Sequence, residues 1–192
     1  FSVPLVFATV LSNMLTRTDT LMLGYFRSSR EVGLYSAAYP LASGMLLVLS
    51  SFGFMYLPLA SRLDAEDDRS EVGSIYELTT KWVYIVTFPL FLTFVVFSND
   101  VLAIVFGARY AEAGTALSIL SIGFFTSAMF GRNRETLSAL GFTTAIMGAN
   151  GVAFLVNAGL NLVLIPRYGY MGAAVTSMLS FVVLNLTVYG VL

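Results

Sequence analysis

The sequence contains no cysteine and no histidine. Without thiols there is no disulfide framework and no thiol nucleophile, and without either residue the common zinc ligand sets are excluded. Charge is scarce as well: Asp, Glu, Lys and Arg make up 11% of the 192 residues, against roughly a quarter in soluble domains. A soluble chain of this size needs charge over most of its surface, so a water-exposed globule is excluded. The net charge of −1 leaves no basic surface to argue for nucleic acid. What fills the sequence instead is apolar, 57% of it, with a mean hydropathy of +0.83, and the few charges gather in short clusters between long apolar runs. That pattern is an integral membrane protein. The first segment has no basic n-region and no small-residue cleavage site, so it does not read as a signal peptide. With Phe1 and Leu192 both lying in apolar runs, the expectation is a portion of a longer membrane protein.

A spanning helix needs about 20 predominantly apolar residues. Stretches 2–26, 34–60, 82–98, 114–131, 143–165 and 172–192 qualify, which predicts an all-α, polytopic bundle of six transmembrane helices. The connection Ser61 to Thr80 carries Asp64, Glu66, Asp67 and Asp68 but lacks the glycine and spacing of a calcium loop, so it reads as a solvated charge run. Asn99 to Gly114 is too short to span and is expected at the membrane interface. Alternation puts 61–81 and 132–135 on one side, with Arg62, Arg69, Lys81, Arg132 and Arg134. The segments 27–31, 99–113 and 167–171 fall on the other, with Arg27, Arg30, Arg109 and Arg167. The basic residues favour the first set as cytoplasmic. The prolines lie within or at the ends of the spans; Pro58 and Pro166 are expected to mark helix ends, and Pro89 to kink its helix.

The exception to the apolar pattern is Ser12 to Thr20, which places Arg17 and Asp19 inside the first apolar run. At about 100° per residue, Thr9, Ser12, Asn13, Thr16, Arg17, Asp19 and Thr20 fall within one broad arc, opposite Leu11, Met14, Leu15, Leu21 and Met22. Such a polar face must meet protein or water rather than lipid, and ionisable residues at membrane depth point to function. Arg17 and Asp19, two apart, are poorly placed to pair with each other, so each is expected to reach another helix, a ligand or the interface. On the fifth span, Thr143, Asn150, Asn157 and Asn161 share a face, with a ladder of Ala145, Ala149 and Ala153 expected nearly opposite. The asparagines fit interhelical hydrogen bonding, or the lining of a polar cavity. On the sixth, Thr176, Ser180 and Thr187 read as packing residues. The sequon Asn185-Leu186-Thr187 lies inside an apolar span, where it carries no glycosylation.

Several stretches together resemble the polysaccharide flippases of the multidrug/oligosaccharidyl-lipid/polysaccharide exporter superfamily. They are Asp19 to Gly24, Val32 to Pro40, Tyr76 to Trp82, Val105 to Tyr110, and Asn157 to Ala174, in this order and spacing over nearly the whole chain. The resemblance implies a transporter of two six-helix lobes around a central polar cavity that opens alternately to either side of the cytoplasmic membrane. This chain is similar to the second lobe, with the N-terminal lobe and half of the cavity missing. The expected substrate is a lipid-linked oligosaccharide. Arg17 would attract its pyrophosphate or acidic sugars, Asn13 and Asn157 would bond sugar hydroxyls, and Asp19 would balance charge or bind a coupling proton or sodium ion. No other cofactor and no metal is expected, and the chain is not expected to be an enzyme. Two alternatives remain open: a cation-coupled multidrug exporter of the same superfamily, and a membrane-embedded polysaccharide polymerase or glycosyltransferase. The second lacks a visible nucleophile and base constellation.

Overall fold

The computed structural model describes residues 2–52, 54, 69–130, 137 and 142–190. Helix α1 is Ser2–Phe26. Helix α2, Ser29–Ser43, pauses at Gly44 and the chain continues helical to Phe52. Helix α3 is Arg69–Val96, α4 the short Ser98–Phe106, followed by a 3-10 segment Ala108–Ala113 that leads into α5, Gly114–Phe130. Helices α6, Thr143–Tyr168, and α7, Tyr170–Tyr189, complete it. No strand occurs among the described residues.

Among the described residues, five stretches are long and apolar enough to cross a membrane: Ser29–Phe52, Gly73–Val96, Ala108–Phe130, Thr143–Tyr168 and Tyr170–Tyr189. Helix α1, at 25 residues, has the length, but its polar residues set it apart from those five. The helices overrun the apolar windows read from the sequence. The third begins at Arg69 rather than 82, so most of the expected loop from Ser61 to Thr80 is helix. The reason is that hydropathy reports which residues meet lipid, while a helix ends where its hydrogen bonding stops. The extra turns of α3 are helped by a Glu77–Lys81 pair, 2.8 Å apart one turn along the surface. The short α4 and the 3-10 segment occupy the stretch expected at the interface. Pro89 lies inside α3, and Pro166 two residues before the end of α6. Pro58, the acidic residues Asp64 to Asp68, and Arg62, Arg132 and Arg134 lie outside the described residues.

Helices α1 and α6, α6 and α7, α5 and α7, and α3 and α5 pack as neighbours, with α2 against α5. Leu23, Tyr35, Leu102, Phe124, Ile165 and Phe181 belong to one buried cluster drawn from α1, α2, α4, α5, α6 and α7. Small residues allow the close approach, which in lipid replaces the hydrophobic drive as the source of helix association. Ala149 and Ala153 are buried on the same side of α6 as Asn150, Asn157 and Asn161. This corrects the expectation of opposite faces: 149 to 157 spans about 800°, which returns to within about 80° of the start. A Cβ on Gly123 of α5 would meet the Cα of Met178 of α7 at 2.8 Å, so this contact needs glycine. The outward surfaces carry large apolar side chains, among them Ile104, Leu155 and Leu162, as a lipid-facing surface requires. Asn185 is buried and donates to Ser127 Oγ at 2.9 Å, so the sequon is sequestered in helix packing.

One end of the bundle is tied by polar contacts. Arg27 Nε donates to the Ile165 carbonyl at 3.1 Å, and Arg30 pairs with Glu112 at 2.8 Å. Glu31 Oε2 accepts the Tyr170 amide at 3.0 Å, placing a carboxylate on the first turn of α7, where the helix dipole favours it. Glycine is required at the turn before it: Gly169 has φ +58°, and a Cβ there would press into the Glu31 carboxylate. Segments 27–31, 108–113 and 165–170 therefore gather at the same end, in keeping with their assignment to one side of the membrane.

Candidate functional site

Asp19 is fully buried, four residues before the equally buried Leu23 on the inward face of α1. An isolated carboxylate at such a place costs several kcal/mol, on the order of the penalties for intramembrane charge. The surrounding helices offset it. From α6, Asn157 Nδ2 donates to Asp19 Oδ1 at 3.0 Å and Asn161 Nδ2 to the same oxygen at 2.6 Å. From α2, Tyr35 Oη donates to Oδ2 at 2.6 Å, and from α7 Ser177 Oγ donates to Oδ2. Tyr35 Oη and Ser177 Oγ also lie 3.0 Å apart, and Asn161 Nδ2 reaches Asn157 Oδ1 at 3.0 Å. One carboxylate thus joins α1, α2, α6 and α7. Such charge-assisted bonds are short and roughly twice as strong as neutral ones.

The network rests on an aromatic chain. The Tyr35 ring packs at 5.5 Å from Tyr39, Tyr39 at 5.3 Å from Phe124, and Phe124 at 4.6 Å from Phe181. These contacts fix the Tyr35 hydroxyl by holding its ring. The carboxylate, amide and hydroxyl oxygens of Asp19, Asn157, Asn161, Tyr35 and Ser177 form the kind of donor set that hard cations take. Among the described residues the buried Asn161 Oδ1 atom has no hydrogen-bond partner. Among the described residues no cluster of three or more carboxylates, histidines or cysteines is present to hold a larger metal centre.

The other residues expected at the site divide. Asn157 joins Asp19. Asn13 and Arg17 do not: both are exposed, and among the described residues Arg17 takes part in no ion pair. The expected polar arc is about 160° wide, with Arg17 and Asp19 at its two edges, so one meets the bundle and the other faces outward. Val10, Met14, Leu21 and Tyr25 share the exposed side of α1 with Arg17 and Asn13. The side chains of Thr9, Ser12 and Thr16 lie outside the described residues. Sequence reasoning missed Tyr35 and Ser177, and read Asn161 only as one of the asparagines bonding between helices or lining a polar cavity. Tyr35 and Asn161 lie within stretches that carried the family resemblance; Ser177 had no such signal.

The family model for a polysaccharide biosynthesis protein matches residues 1–115, which includes Asn13, Arg17, Asp19 and Tyr35. The chain belongs to this family. Among relatives of this polysaccharide biosynthesis family member is the probable low-salt glycan biosynthesis flippase Agl15 of Haloferax volcanii. It is 26% identical over 86% of the chain and 35% of its own length. The probable flippase AglR of the same organism is 26% identical over 84% of the chain and 34% of its length. The chain therefore spans about a third of the curated relatives it matches. Among solved structures, a MOP superfamily transporter from Pyrococcus furiosus matches 97% of the chain and 42% of its own, with TM-score 0.84 and 16% identity, a likeness of fold. That fold is the all-α arrangement described above, with seven α-helices among the described residues, and the family member is a multi-pass membrane protein.

Proposed function

We propose that the full-length protein is a flippase that moves a lipid-linked oligosaccharide across the cytoplasmic membrane by alternating access, with this chain as one of its two lobes. The observation that carries the reading is the division of α1: Asp19 is locked into four helices, while Arg17, two residues earlier, is held outward on the opposite edge. Arg17 and Asn13 then face the missing N-terminal lobe across a shared cavity. The guanidinium fork offers bidentate bonds to pyrophosphate or acidic sugars, and Asn13 bonds sugar hydroxyls. Asn157, fully buried on Asp19, presents nothing to a sugar in this conformation, so its part lies with the carboxylate. Asp19 with its oxygen-bearing neighbours takes the coupling proton or sodium ion, and because it touches α1, α2, α6 and α7, its occupancy reaches every helix around it. Names of the relatives support the substrate class, since both carry the name probable flippase and one of them that of low-salt glycan biosynthesis.

The test is complementation of a flippase-deficient strain with the full-length protein. Wild type restores polymer export, while Arg17→Ala and Asp19→Asn, at normal protein levels, do not. Restoration by both variants removes the cavity and coupling roles. Export of cationic dyes without any polysaccharide phenotype would instead establish the multidrug exporter.

A further inference from the structure

A cavity of about 410 Å³ opens between the first turn of α2 and the 3-10 segment, lined by Ser29, Arg30, Gly33, Arg109, Tyr110 and Glu112 among others. We propose that this cavity binds a phosphate group at the membrane surface, carried by an anionic lipid headgroup or by a soluble phosphate. It lies apart from the Asp19 network, and the inference is independent of the transport reading.

Arg109 has no carboxylate in ion-pair range among the described residues. Its guanidinium lies over the Tyr110 ring, 4.9 Å from the centroid, which orients the plane and leaves the edge donors open. Across the cavity, Arg30 spends one nitrogen on Glu112 at 2.8 Å, and a guanidinium has further donors to offer. The acidic neighbours are already engaged: Glu112 by Arg30, and Glu31 by the Tyr170 amide and, at 3.9 Å, by Arg27. Two planar cations facing one space match the tetrahedral oxygens of phosphate. The 15-residue α2 begins here with Glu31 in its first turn, which offsets the dipole of that turn, so the positive field in the cavity comes from the two arginines.

The setting places the cavity at the edge of the bilayer. Immediately before Gly107, the short α4 exposes Ile104, Val105 and Phe106. Large apolar side chains that give way within a few residues to Arg109 and Glu112 mark the passage from hydrocarbon to headgroups. A lipid whose chains lie along that apolar surface would bring its phosphate to the two arginines.

Two titrations of the purified full-length protein in detergent decide the matter. Native mass spectrometry compares retention of phosphatidylglycerol with that of diacylglycerol bearing the same acyl chains, and calorimetry follows inorganic phosphate. Expected is retention of phosphatidylglycerol over diacylglycerol, weakened by at least about tenfold in Arg109→Gln, as loss of charge-assisted bonds implies. Saturable binding of inorganic phosphate, lost in Arg109→Gln, with the two lipids retained alike, supports the site and assigns it to a soluble ligand. Equal retention of the lipids with no phosphate binding overturns the proposal, as does unchanged binding in Arg109→Gln. If Arg109→Gln does not fold, Arg30→Gln is held to the same criterion.

Discussion

At Asp19 two substitutions separate structure from coupling. Asp19→Ala lets Tyr35 and Ser177 pair with each other across their 3.0 Å gap and leaves Asn161 on Asn157 Oδ1. The Asn157 amide, however, loses its acceptor inside the bundle. An orphaned buried donor costs about 1–3 kcal/mol, and the vacated volume adds to that. Asp19→Asn keeps the shape: its carbonyl accepts from Asn157 and Asn161, and its amide donates to hydroxyls that are free to turn. Thermal unfolding of the full-length protein should therefore show Asp19→Ala clearly destabilised and Asp19→Asn within about 1 kcal/mol of wild type. Export should be lost in both; equal destabilisation of the two would mean that the charge itself holds the helices. Asp19 was legible in the sequence because a carboxylate in an apolar run demands a partner. Its partners were less so, since tyrosine and serine are ordinary in membrane helices and nothing local tells which of the small residues from Gly172 to Ser180 turns toward α1.

Helix contacts make demands that composition alone does not disclose. Gly123 and Gly169 look alike in sequence, yet one is needed for space and the other for backbone angle. A methyl on Gly123 would meet the backbone of Met178, which cannot swing aside, so Gly123→Ala should cost about 1–3 kcal/mol through overpacking of α5 on α7. Gly169→Ala forces a side chain into positive φ and against Glu31, for about 1–2 kcal/mol. Denaturation midpoints check both, and Gly24→Ala, with nothing within 4 Å, is the control, expected to be unchanged or stabilised by up to about 1 kcal/mol. The existence and type of the helices followed from apolar run length, whereas their ends did not: α3 reaches back to Arg69 because Glu77 and Lys81 are compatible with helix though not with lipid. The alanines of α6 are a different case: helical counting alone puts Ala149 within about 80° and Ala153 within about 40° of Asn157, so their side was legible in the sequence.

For the whole molecule, exposure has two meanings that the isolated chain does not separate. Leu155 and Arg17 both lie on its surface, but a leucine suits lipid and an exposed arginine suits water or another lobe. The absence of cysteine makes the distinction measurable, because a single introduced thiol in this chain can report its surroundings. In a full-length protein freed of any other cysteine, Asn13→Cys and Arg17→Cys should react with a water-soluble maleimide. Leu155→Cys should react slowly, since thiolate does not form in hydrocarbon, and the fully buried Ala153→Cys should be protected by packing. Added lipid-linked oligosaccharide should shield positions 13 and 17. A cysteine at Arg167, on the end shared by segments 27–31 and 108–113, should be labelled from outside intact cells if the basic-residue balance sets the orientation. Equal reactivity at 17 and 155 would place Arg17 against lipid and remove the aqueous cavity from this face of α1.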